Sequence, residues 1–215
     1  MKNIQKDTQK FKKYLFKKSK SVYEIYSSFE TSLNNNKIDL HKRSLSIKDF
    51  DRAYRHLEDI EGNLFRQAML VMVLSYLDEA MKLIGEASIS NYSAKISEQR
   101  KGSWFEKQKK LFEKYGVSFE GIKDECERIN DLIKVRNCIV HAGGRIDKCR
   151  NPKQVEIAIS RLKERDKDRN FKLVDITSDK FLCLGEDIIA TAIIASNKII
   201  EQCSKTKLGC EGVYE

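Results

Sequence analysis

Helix breakers are scarce in this chain. Pro152 is the single proline, and glycine occurs ten times in 215 residues, so long stretches rich in Leu, Ile, Lys and Glu run uninterrupted and predict an all-α fold. Long apolar runs are missing as well. The longest, 68–77, falls short of the about 20 residues that a membrane-crossing helix needs, and 188–195 is shorter still, so no spanning segment is expected. The lysine-rich start has neither an apolar core nor a small-residue cleavage site, which speaks against secretion. Six cysteines, at 126, 138, 149, 183, 203 and 210, form no C-x-x-C pair. They read as reduced, partly buried thiols of a cytoplasmic protein rather than zinc ligands or disulfides.

Charge, by contrast, is plentiful and lopsided. Lys and Arg number 41 against 32 Asp and Glu, a formal +9, while 40% of residues are apolar. That is enough apolar material for one core, and length divided by about 150 also favours one. Most of the excess sits in the first twenty residues, where eight lysines accompany one aspartate with Phe11, Tyr14, Leu15 and Phe16 interleaved. This arm, 1–45, is expected to be helical, either as a solvated face that keeps the chain soluble or as a phosphate-attracting surface. Asn34-Asn35-Asn36 is expected to break it.

From 46 to 84, Phe50, Tyr54, Leu57, Ile60, Leu64 and then nearly every residue of 68–77 recur at helical spacing, predicting a central helix that Gly62-Asn63 bends or divides and Gly85 ends. Ser103-Trp104-Phe105-Glu106 has the form of a capping box, so a short helix should run to about 115 and stop at Gly116. Another should start near 118 with Glu120, Asp124 and Glu125 at its positive end, and stop at His141 before Ala142-Gly143-Gly144. Asn151-Pro152 reads as N-cap and first helical position of the next. Residues 172–176 and 181–183 suggest a small hairpin across Thr177-Ser178-Asp179, and a last apolar helix covers 184–203. The expectation is an up-and-down bundle of four or five helices over 46–205, followed by a tail, 206–215.

Projected as a helix, 118–141 groups Ile122, Cys126, Ile129, Ile133 and Val140 on one face, and Arg136 falls inside it. An arginine among such neighbours must meet a partner charge or a polar cleft. On the central helix Asp78 lies between Val71 and Leu74, whereas Glu79 turns outward, so Asp78 is the natural partner; the pair would serve either helix register or a site. A second, polar stripe holds Asn130, Lys134, Asn137 and His141. Arg136 and His141 project about 140° apart and about 7.5 Å along the axis, so a shared site needs a loosened last turn or a second subunit.

Arg136-Asn137-Cys138-Ile139-Val140-His141 resembles the R-x4-H motif of HEPN domains (higher eukaryotes and prokaryotes nucleotide-binding), in the form with a polar residue after the arginine. The resemblance extends to an all-α bundle and to Ser75-Tyr76-Leu77-Asp78, an acidic residue on a preceding apolar helix. It implies metal-independent RNA cleavage without a cofactor, in toxin or antiviral defence systems, by a homodimer that an antitoxin or sensor protein controls. The absence of E-x-x-H pairs and clustered carboxylates agrees with a site lacking metal. In these roles His141 would be the general acid or base, Arg136 would hold the scissile phosphate, Asn137 would orient the imidazole or ribose, and Asp78 would orient Arg136 or tune His141. Lys134, Arg100, Lys101, Lys107 and Lys110 are the expected RNA contacts, the last four around Trp104 and Phe105 as a stacking platform, unless those rings pack inward. The alternative function is a non-catalytic binding or scaffold module with a structural Arg136–Asp78 pair. His41 and His56 are read as surface residues.

Overall fold

In the computed structural model the described residues are 2–165, 174–177 and 180–206. They form an all-α bundle with one small hairpin. The helices are α1 (Lys2–His41), α2 (Ile47–Arg55), α3 (Asn63–Ser88), α4 (Tyr92–Ser97), α5 (Trp104–Lys114), α6 (Lys123–Ala142), α7 (Pro152–Arg165) and α8 (Ile188–Cys203). α3 lies at the centre, packed on α8 and α6, and α7 covers α6 from the other side. The apolar run of α3 explains that position. Met69, Leu70, Val73, Leu74, Leu77, Ala80, Met81 and Ile84 are all buried, and α8 answers with Ile188, Ile189, Ala192, Ile193, Ile199 and Ile200.

α1 does not break at Asn34-Asn35-Asn36. Ser19, Tyr26, Leu33 and Leu40 recur every seven residues and are buried, so this seam keeps the helix unbroken across three asparagines of modest helix propensity. The Phe29 ring also stacks on Phe65, with centroids 3.6 Å apart. The second half of the expected arm is therefore part of the bundle.

Ser46 caps α2 by accepting from the Asp49 N–H at 3.2 Å. Between α2 and α3 the rod passes through a π-helical turn, His56–Gly62, so the irregularity expected at Gly62-Asn63 is present. Gly62 packs closely there: a Cβ would lie 3.0 Å from the Leu33 side chain on α1 and 3.3 Å from the Arg66 guanidinium. Gly85, expected as the stop, is instead helical. Tyr92 lies against it so closely that a Cβ would fall 2.1 Å from the ring, and α3 continues to Ser88.

The capping box of α5 is complete, with Glu106 N–H donating to Ser103 Oγ at 3.2 Å and Ser103 N–H to Glu106 Oε2 at 2.7 Å. Strands β1 (Val174–Ile176) and β2 (Leu182–Leu184) pair antiparallel, with Asp175 opposite Cys183; residues 172, 173, 178 and 179 of the expected hairpin lie outside the described residues. The Asn63 amide fastens β2 to α3, donating to the Leu182 carbonyl at 3.0 Å and accepting from the Leu184 N–H at 2.8 Å. On the other side the Leu182 N–H donates to the Gly144 carbonyl and the Ile146 N–H to the Lys180 carbonyl, both at 2.9 Å. The hairpin thus braces the end of α6.

Candidate functional site

α6 ends as its glycines predict. Gly143 and Gly144 have φ of 58° and 79°, and both N–H groups turn back to the Cys138 carbonyl, a closure that a left-handed glycine makes cheaply. The helix is regular through Ala142, so its last turn is not loosened. Arg136 and His141 leave the helix in different directions, and the guanidinium covers part of that separation itself. Its Nη1 donates to Asn137 Oδ1 at 3.2 Å, turning the charged head out of the apolar face toward the stripe that carries Asn137 and His141. Desolvation explains this choice, since an interior position would leave most of five donors unpaired. His141 is exposed, and so is Val140 at 45%.

The expected Arg136–Asp78 ion pair is not formed. Asp78 Oδ1 accepts instead from Gln108 Nε2 at 2.6 Å, and the Tyr92 hydroxyl donates to Gln108 Oε1. Burial raises the Asp78 pKa above its ordinary 3.8, against the opposing hydrogen bond from Gln108; the Arg136 charge is the weakest of the influences on it. Asp78 therefore belongs to an α3–α4–α5 junction and neither orients Arg136 by contact nor reaches His141. Because the folded chain holds this proton more tightly than the unfolded one, stability falls as pH rises through the window from 3.8 upward. Asp78→Asn keeps an acceptor for Gln108 without the buried charge. It should raise the melting temperature at pH 7 by roughly 2 °C, with no gain at pH 3, as thermal melts followed by circular dichroism will show; a lower midpoint at pH 7 would refute this account.

Lys134 is half-buried and pairs with Asp131 at 3.0 Å. Asp131 also binds Arg161 and Arg165, two cations of α7 that the reading of α6 alone missed. Only the spacing of Arg161 and Arg165 on one face of a helix could have pointed to them.

Arg100 and Lys101 are exposed just before α5, Lys110 is exposed on it and Lys107 is half-buried. The stacking platform is not there. Phe105 is wholly buried, and Trp104 packs against the core edge-on to it, with centroids 5.8 Å apart. Lys110 does line a hollow of about 670 Å³ between α5 and the start of α6, together with Lys109, Phe119 and Asn130. Neither Arg136 nor His141 reaches it.

His56 pairs with Glu61 at 3.3 Å, and His41 lies against Phe50 with ring centroids 4.7 Å apart, which agrees with surface roles. The five described cysteines form no disulfide with one another. Burial pushes the Cys126 thiol up to about 11 and, with a hydrogen bond that its own S–H gives to Cys149, the Cys138 thiol up to about 12, so neither is a nucleophile at neutral pH. Cys210 lies outside the described residues. Among these residues no helix is long and apolar enough to cross a membrane. No family model, curated protein or solved structure matches the chain.

Proposed function

We propose that the chain is a metal-independent endoribonuclease of the HEPN type. The observation that carries this reading is the Arg136–Asn137 contact at 3.2 Å, which turns a guanidinium toward the exposed stripe that His141 completes one turn further on. Those groups suit cleavage by the RNA's own 2′-hydroxyl. One base removes the 2′ proton while the 2′-oxygen bonds to phosphorus, and the P–O5′ bond breaks with a proton returned to the leaving oxygen. His141 supplies one of these proton transfers. Arg136 retains donors beyond the one it gives Asn137, and these meet the equatorial oxygens as negative charge builds. Asn137 fixes the guanidinium. Asp78 has no part in the chemistry.

A homodimer fits this reading, because a second copy would supply the other proton-transfer group, and Val140 leaves apolar surface bare inside the motif. The setting is a cytoplasmic toxin or antiviral defence system, with an antitoxin or sensor protein in control. Purified protein incubated with total cellular RNA in EDTA should produce fragments ending in 2′,3′-cyclic phosphate. Intact RNA under those conditions, at protein concentrations that saturate binding, sinks the proposal.

A further inference from the structure

Asp131 is 2% exposed and yet carries three cations. Its Oδ1 accepts from Lys134 Nζ at 3.0 Å and Arg161 Nη2 at 2.8 Å, and its Oδ2 from Arg165 Nη1 at 3.0 Å; Arg165 Nη2 continues to Glu127 Oε2 at 2.8 Å. The cluster sets three cations, Lys134, Arg161 and Arg165, against two carboxylates, Asp131 and Glu127, so one positive charge is left over. Arg161 gives up only one of its five donors and its side chain is 49% exposed, and its Nε and Nη1 make no hydrogen bond among the described residues. Arg161 and Arg165 stand one turn apart, about 6 Å along α7, and Lys134 belongs to the α6 stripe that ends at Asn137 and His141.

The pairing pattern sets the direction of the two helices. Glu127 and Asp131 meet Arg165 and Asp131 meets Arg161, so α6 and α7 run antiparallel with these cations along their shared outer seam. Lys134 lies about 10 Å from His141 along α6. A strand seated at His141 and following the seam would therefore bring neighbouring phosphates over the clamp. Asp131 has already immobilised the three side chains, so an anion would not have to order them again.

We infer that Lys134, Arg161 and Arg165 form a preorganised clamp for the backbone phosphates of single-stranded RNA flanking the Asn137–His141 surface. The identity of the polyanion rests on the ribonuclease reading; the clamp itself rests on the Asp131 geometry. The test measures anisotropy of a short fluorescent 2′-O-methyl RNA, which lacks the nucleophile and so stays intact, against the full-length protein over a range of KCl concentrations. Arg161→Gln leaves Asp131 paired to Lys134 and Arg165 and should fold normally. Its plot of log affinity against log salt should be shallower by about 0.7, with binding about fivefold weaker near 0.1 M salt, and Arg161→Lys should recover the slope. An unchanged slope in Arg161→Gln, or a wild type that does not bind this RNA, overturns the clamp. RNA cleavage with an unchanged slope removes the clamp alone, whereas a reduced slope without cleavage keeps the clamp and removes the ribonuclease.

Discussion

Arg66→Ala should cost about 3–5 kcal/mol of folding stability, the usual penalty for removing one member of a buried ion pair. For a chain of this length that lowers the melting temperature by roughly 10 °C. The size follows from what would be left behind. Arg66 is 1% exposed and holds Glu30 through two hydrogen bonds, Nε to Oε1 at 2.7 Å and Nη2 to Oε2 at 2.9 Å. Its Nη1 donates to Glu58 at 2.7 Å and to the Leu184 carbonyl at 3.2 Å. One side chain thus joins α1, the π-helical turn, α3 and the end of β2. Alanine would strand a mostly buried Glu30 carboxylate and an unpaired carbonyl. Thermal melts by circular dichroism decide the matter; a shift under 3 °C would mean that the network contributes little.

The same network has a pH signature. Burial would raise the Glu58 pKa, but hydrogen bonds from Lys37 and Arg66 outweigh it and hold the carboxyl below its ordinary 4.5. The unfolded chain then binds the extra proton as acid is added, so the stabilisation is present above 4.5 and is lost as pH falls through the folded value. Arg66→Ala should therefore lose most at neutral pH and differ least from the wild type in acid. A purely steric role for the side chain would leave the difference independent of pH.

Local signals were legible wherever one short segment determines the outcome. Ser103 with Glu106, Gly143-Gly144 and Asn151-Pro152 set helix ends through groups that lie within a few residues of one another. The apolar stripes of α3 and α8 likewise identified the core. What escaped were contacts between distant segments. Nothing near Arg66 indicates Glu30, 36 residues earlier, and three consecutive asparagines look like a turn until Leu33 and Leu40 are seen to dock on either side of them. Gly85 resembles a stop until Tyr92 fills the space beside it. At the site, a helical projection gave the faces of Arg136 and Asp78 but not the reach of either side chain. Gln108 claimed the carboxylate, and the guanidinium folded back on its own neighbour.

Three arginines show how packing sorts one residue type into different tasks. Arg66 has its donors taken up by carboxylates and a carbonyl, and its structural role follows. Arg161 and Arg136 each commit one donor and make no other hydrogen bond among the described residues. An arginine with spare, oriented donors at the surface is a device for binding anions, and both examples flank the stripe that ends at His141.

His141→Ala should lower RNA cleavage by about 10²–10⁴-fold, the usual contribution of a positioned general acid or base. Stability should hardly change, because the imidazole is exposed and has no hydrogen-bond or ion-pair partner among the described residues. The two readouts together separate chemistry from folding. Arg136→Ala should cost about 10²–10³-fold, as for loss of a donor that stabilises developing charge, and Asn137→Ala less, since it acts by holding that donor. If Asn137 works through Arg136, the double variant will be no slower than Arg136→Ala, a non-additivity expected of residues in one unit. Full multiplication of the two losses would instead assign Asn137 an independent contact with the ribose. Cleavage by His141→Ala at the wild-type rate would leave the RNA-binding surface standing and this catalytic assignment refuted.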